Sequence, residues 1–228
     1  MRKLVIVLAA LGVAVVSVPA GASPQQPAPS VTPPPAPAPV RVTIVTGDGP
    51  IVAELDAAHA PKSTANFLRY VDAKRYDGIS FYRSMKLPWN AGVIQAGQRD
   101  PKKLYPPIAH EPTTATGLSH VEGVLSLARR EPGTGQSEWS ITIGDMTGLD
   151  ATPGAPGDNA GYAVFGRVVE GMDVVRRIWS GPTDPNAGEG AMKGQILAPP
   201  VRILTIRRTP SIGSLHLRAI DIPSVRLE

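Results

Sequence analysis

Two neighbouring stretches, Phe81-Tyr82-Arg83 and Val93-Ile94-Gln95-Ala96-Gly97, decide how this chain is read. In each, a single polar side chain interrupts an apolar run. An arginine flanked by aromatics and a glutamine among aliphatics are costly to bury unless each finds a hydrogen-bond partner. The least costly arrangement has them bond each other across two adjacent strands. Outward from this pair the same period-two signal recurs. Val42 and Ile44, then Ile51, Ala53 and Leu55, alternate with polar residues around Gly47-Asp48-Gly49-Pro50, which predicts a hairpin. Gly123 to Ala128 reads as a strand. Ser137 to Ile143 reads as another, with Trp139, Ile141 and Ile143 on one face and Glu138, Ser140 and Thr142 on the other. Tyr162 to Val168 and Val201 to Ile206 complete the set.

Two stretches carry helical periodicity. Pro61, suited to a first helical turn, opens one with Ala65, Phe67, Leu68 and Val71 inward. Gly171 to Trp179 is the second, with Val174, Val175 and Ile178 inward. Many short strands with two helices predict a mainly β fold, closed into an antiparallel barrel that leaves no sheet edge. Bulky Trp139, Ile141 and Phe165 on inward faces predict a filled barrel rather than the hollow one of a small-ligand carrier.

Many of the 25 prolines lie between Pro24 and Pro39, so the rest of the 228 residues is ordinary enough to build one core. Met1-Arg2-Lys3, an apolar run from Leu4 to about Val18, and Pro19-Ala20-Gly21-Ala22 have the three-part form of a secretory signal peptide, with cleavage expected after Ala22. A retained anchor is the alternative, but the run is shorter than the ~20 residues that span a bilayer. Residues 23–39 lack charge and apolar bulk and read as an extended linker. Residues 40–208 then form the domain, and residues 209–228 a C-terminal extension with no assigned role. The expected location is periplasmic or secreted, with no stable membrane span after cleavage.

Zero cysteines exclude a disulfide scaffold, a thiolate zinc site and a cysteine nucleophile. His59, His110, His120 and His216 stand in separate segments without ligand spacing, so no metal is expected. A net charge of +4 is dispersed rather than gathered into a stripe, which argues against a nucleic-acid partner. Nothing in the pattern demands more than a monomer.

Taken with Ser137 to Ile143 and Gly161-Tyr162-Ala163-Val164-Phe165-Gly166, the arginine and glutamine stretches resemble the cyclophilin family of peptidyl-prolyl cis-trans isomerases, especially its bacterial secreted members, from about Arg41 to Arg208. The resemblance implies an eight-stranded antiparallel barrel capped at each end by a helix, a peptide groove on its outer surface, and no cofactor. Its substrates would be proline-containing unfolded or extended polypeptides. Arg83 would be the catalytic donor, and Gln95 would steady it and touch the peptide. The groove would be lined by Tyr82, Trp89, Gly92, Val93, Ala128, Glu138, Ser140, Leu149 and Tyr162.

The same comparison marks departures. The family's usual Phe-Met is Gly92-Val93 here, and the spacing from Arg83 to Gln95 is longer, so Trp89 is expected to swing into the space left by the phenylalanine. The usual Gln-Phe-Phe is Glu138-Trp139-Ser140, and Gly148 stands where many relatives carry an aromatic. Two functional readings follow. Arg83 and Gln95 favour an isomerase of exported proteins. Gly92, Ser140 and Gly148 favour a peptide-binding, chaperone-like module with catalysis weak or lost. Glu138 is open to three roles: orienting Arg83 by an ion pair, holding it away from substrate, or standing solvated.

Overall fold

The computed structural model describes residues 39–209. The expected signal peptide, the linker up to Ala38 and the extension beyond Thr209 lie outside the described residues. The alternating stretches form strands: β1 (Val40–Thr46), β2 (Gly49–Leu55), β3 (Ser80–Leu87), β4 (Ala91–Ala96), β5 (Val124–Leu127), β6 (Trp139–Ile143) and β7 (Ala163–Glu170). A short β8 (Thr183–Asp184) and a long β9 (Ile196–Arg208) follow. Neighbours run β1-β2-β7-β5-β6-β4-β3-β9, and β9 pairs back onto β1, closing an eight-stranded antiparallel barrel with β8 as a further strand on β9. The predicted architecture is therefore the observed one. β9 begins at Ile196 rather than Val201 because its first residues pair with β8 and with Arg83 of β3.

Two long helices pack on the barrel: α1 (Pro61–Asp72) against β7 and β9, and α3 (Met172–Ser180) against β2, β3 and β4. Between them in sequence lies a single turn, α2 (Thr113–Thr116). In α3, Val174, Val175 and Ile178 are buried as predicted. In α1 the buried stripe runs through Phe67, Leu68, Tyr70 and Val71, whereas Ala65 is exposed, a correction to its predicted inward face. The two aromatics set the helix's rotation because they carry the most area to bury. Ala60 offers no side-chain cap, and Glu111 supplies one from the long loop after β4. Its two carboxylate oxygens accept the backbone N–H groups of Lys62 at 2.9 Å and Ser63 at 2.7 Å. An anion there meets the positive end of the helix dipole.

The barrel is filled. Trp139 lies at its centre with no exposure, its ring edge-on to Phe67 and to Phe81, each with ring centroids 5.4 Å apart. Ile44, Ile51, Leu125, Ile141 and Phe165 surround it, all at 0 % exposure. Among the described residues no helix is long and apolar enough to cross a membrane.

Candidate active site

Strands β3 and β4 pair with Arg83 directly opposite Gln95, and β4 and β6 with Gln95 opposite Ser140. This register puts the polar pair on the outer face of the barrel, above a groove of about 830 Å³. Arg83 Nη1 donates to Gln95 Oε1 at 2.8 Å, the mutual satisfaction that the sequence demanded. Its Nε donates to Gln195 Oε1, also at 2.8 Å. Nη2 touches only the Met85 sulfur, at 3.9 Å, a weak acceptor. The guanidinium is thus clamped through two of its nitrogens and free at the third. Burial pulls its pKa below the ordinary arginine value, the mark of a partly desolvated cation.

Behind this pair stands Glu138. Its Oε2 accepts Gln95 Nε2 at 2.9 Å and the Tyr82 hydroxyl at 3.1 Å, and its Oε1 lies 3.7 Å from Arg99 Nε. Glu138 therefore neither pairs directly with Arg83 nor stands free. By accepting the amide N–H of Gln95 it turns the amide oxygen toward the arginine, so orientation passes from Glu138 through Gln95 to Arg83. Burial first, then the charge of Glu138, raises the Tyr82 pKa well above that of an ordinary phenol, which keeps its hydroxyl a donor.

The apolar end of the groove is formed by Met85, Val93 and Leu149, with Met146 and Ala91 buried beneath. Tyr82, Ala128, Glu138, Ser140 and Tyr162 line the rest as expected. Trp89 and Gly92 do not line it. Trp89 sits at the tip of the β3–β4 hairpin and is 64 % exposed. The extra residues lengthen the hairpin instead of folding back: Leu87 pairs with Ala91, and Asn90 takes the left-handed turn conformation with φ 58°. Gly92 faces away from the groove, where a Cβ would meet the Met85 carbonyl oxygen at 2.0 Å and Trp179 Nε1 at 2.7 Å. The glycine makes room for Trp179, whose indole N–H donates to that same carbonyl at 2.8 Å. Gly148 has nothing within 4 Å of its would-be Cβ, so an aromatic there would have open space.

Sequence reasoning missed Met85 and Gln195. Met85 follows Arg83 by the period of two on one strand face, so alternation carried the signal. Gln195 stands in the glycine-rich stretch before β9, and only the pairing of Arg83 with Ile196 brings it near.

Under the groove runs a buried relay. Ser119 Oγ donates to Asp150 Oδ2, Asp150 Oδ1 lies 2.5 Å from His120 Nδ1, and His120 Nε2 lies 2.8 Å from Ser126 Oγ. The bonds are those of an acyl-transfer triad, but Ser126 is only 2 % exposed and His120 not at all. Ser126 pairs with Ser140 across the sheet and backs the groove, and these groups satisfy one another rather than presenting an exposed nucleophile. Among the described residues no three His, Asp or Glu side chains gather as metal ligands would.

Three comparisons with known proteins agree with this geometry. Residues 41–207 match the family model described as cyclophilin type peptidyl-prolyl cis-trans isomerase/CLD. Peptidyl-prolyl cis-trans isomerase cyp18 of Streptomyces antibioticus is 36 % identical over 152 residues, covering 64 % of this chain and 87 % of that protein. A peptidyl-prolyl cis-trans isomerase of Acinetobacter baylyi is 32 % identical over 168 residues, 73 % of this chain and 84 % of its own. In fold, the crystal structure of a cyclophilin type isomerase from Cryptosporidium parvum superposes with a TM-score of 0.59 at 21 % identity, covering 76 % of this chain and 99 % of that one. A second structure of that enzyme was determined in the presence of the dipeptide Ala-Pro, with a TM-score of 0.59 at 22 % identity. A barrel closed in this order, an arginine clamped beside an apolar floor and a family match that spans the barrel lead to one assignment: this chain belongs to the cyclophilin-type peptidyl-prolyl cis-trans isomerases.

Proposed function

We propose that the protein accelerates rotation about X-Pro bonds in unfolded or extended segments of exported proteins, with Arg83 as the catalytic donor. The planar imide resists rotation by a barrier near ~20 kcal/mol because its nitrogen shares a lone pair with the carbonyl. Twisting the bond by a quarter turn returns that lone pair to the nitrogen. A donor fixed above the nitrogen then binds the twisted state more strongly than either planar one, which is what lowers a barrier. Bringing a seconds-scale rotation to milliseconds needs about 4 to 6 kcal/mol.

The observation that carries this reading is the clamped guanidinium whose Nη2 has no partner but the weak Met85 sulfur, beside an apolar floor of Met85, Val93 and Leu149. Gln95, next to it, is placed to hold the peptide backbone. The Ala-Pro dipeptide used with the Cryptosporidium enzyme supports proline-containing ligands for this groove. The export signal read in residues 1–22 supports a role outside the cytoplasm, and a monomer suffices for a groove built from one chain. Ser140 favours a second reading, a peptide-binding module of reduced turnover, because a hydroxyl replaces an aromatic that would hold the ring. The test is the cis-to-trans rate of an X-Pro tetrapeptide with the purified protein and with Arg83→Ala. Acceleration lost in the variant supports the isomerase. Peptide binding without acceleration in either protein would leave the binding module.

A further inference from the structure

The groove continues well past the proline floor, and its far end is cationic. Beyond Gln95 its walls are Gln98, Arg99 and Leu104 on one side and Arg129, Arg130 and Thr134 on the other. The topology explains why two arginines meet here. Strands β4 and β5 flank β6, and Trp139 at the start of β6 pairs with Ala96 on one side and Leu127 on the other. Arg99 and Arg130 each lie three residues beyond those partners. Where the two chains leave the sheet, at Ala96 and Leu127, they are two strands apart, about 10 Å, a gap that two arginine side chains can close on a single anion.

These cations differ in how far they are already neutralised. Arg129 is spent: it is 2 % exposed, donates to both oxygens of Asp158 at 2.7 and 3.0 Å, and also bonds the Gly161 carbonyl. Arg99 is 65 % exposed, stacks over the Tyr82 ring at 4.7 Å, and reaches Glu138 only loosely at 3.7 Å. Glu138 is meanwhile committed to Gln95 and Tyr82. Arg130 is exposed and has no acidic partner within 4 Å among the described residues, and the same holds for Lys102 and Lys103 on the adjoining turn. Of the acids on these turns, Asp100 accepts the Lys102 backbone N–H, and neither Asp100 nor Glu131 lines the groove. The far end therefore holds two incompletely neutralised guanidinium groups beside neutral Thr134, Gln136 and Ser137.

Resting on the isomerase reading of the same groove, we propose that it selects X-Pro segments carrying a carboxylate side chain near the proline, seated between Arg99 and Arg130. Arg99 lies four residues beyond Gln95 and three beyond the end of β4, a reach of at most roughly 13 Å if the chain stays extended, and an arginine side chain covers about half of that. The acidic residue therefore lies about two or three residues from the proline in an extended peptide. Guanidinium groups suit it because their paired donors match both oxygens of a carboxylate.

The test uses the purified protein and two peptide series in which Glu, Gln or Lys stands two or three residues before, or after, an Ala-Pro bond. Isomerisation kcat/KM is measured at low salt and at 0.5 M NaCl, about ten times Debye screening at 5 mM. In one of the series Glu should exceed Gln by about 3- to 10-fold and Lys should fall below Gln, and the order should collapse in high salt. In Arg99→Gln/Arg130→Gln the Glu-to-Lys ratio should approach one. Equal kcat/KM for Glu and Lys at low salt, with the Gln peptide still turned over, would overturn the proposal while leaving the isomerase intact. An equal advantage in both series would overturn it too, since it would indicate a diffuse field rather than a seat. Should no peptide be turned over, the isomerase reading fails, and fluorescence anisotropy of the labelled Glu and Lys peptides still decides the preference by affinity.

Discussion

The catalytic role proposed for Arg83 rests on the residues that hold it still. Gln195 fixes Nε and Gln95 fixes Nη1, so the one free nitrogen has a defined position instead of a swarm of rotamers. Removing Gln195 leaves contact with the peptide intact and loosens the donor, so Gln195→Ala should lower kcat about tenfold, the worth of one hydrogen bond to a charged group, with KM little changed. Steady-state kinetics with a circular dichroism check on folding would show it. At the proline floor, Ser140→Phe should lower KM, since a half-buried aromatic adds apolar contact where a hydroxyl now stands. The same gain cannot come from Gly92. Even Gly92→Ala would drive a Cβ into the Met85 carbonyl and Trp179, and its urea midpoint should report a loss of about 3 kcal/mol. Trp89→Ala, at the exposed hairpin tip, should leave turnover unchanged. These contrasts show what the sequence carried. The need of Arg83 and Gln95 for each other was legible because burying either alone is costly. The direction in which Gly92 points was not, because it depends on a helix some ninety residues away.

At the scale of elements, alternation, or for the fully buried β4 and β5 a short apolar run, was enough to find the strands of the barrel, since each has one face on a filled core. It failed where pairing rather than burial makes the element. β8 and the first residues of β9 are short or proline-bearing and only partly buried, so neither shows a period. α1 teaches a related lesson. Its start was legible from Pro61, but its cap was not, because Glu111 reaches it from 48 and 49 residues away in sequence. That glutamate is 7 % exposed and holds two otherwise orphaned N–H groups. Glu111→Ala should lower stability by about 2 kcal/mol, read from the thermal or urea midpoint, and Glu111→Gln by less, since an amide oxygen still accepts one bond.

For the whole molecule, acidity tests the buried relay. Burial lowers the pKa of His120 from 6.5, although its bond to Asp150 pulls the other way. An unfolded chain takes up the proton near that ordinary value while the folded chain resists. The relay's contribution is therefore complete above pH 6.5 and is lost as pH falls through 6.5 toward the lower folded value. Unfolding free energy should decline between pH 7.5 and 5.5, and His120→Gln, less stable at pH 7.5, should show a flatter slope. Asp72 and Asp77, held below the usual carboxylate range by Arg208 and Arg207, add their own losses only below about pH 3.8. Those two arginines stand at the end of β9, where it zips onto β1: Val42 faces Arg208, and the Thr209 N–H donates to the Arg41 carbonyl at 2.8 Å. The barrel thus closes by joining the two strands furthest apart along the chain, and a ribosome must deliver nearly the whole domain before that seam can form. A circular permutant, with Arg41 and Thr209 bridged by a short Gly-Ser loop and new ends cut at the exposed Gly154–Gly157 turn, would make the last contact a local hairpin. It should refold faster in stopped-flow experiments than the natural order does, at unchanged isomerase activity.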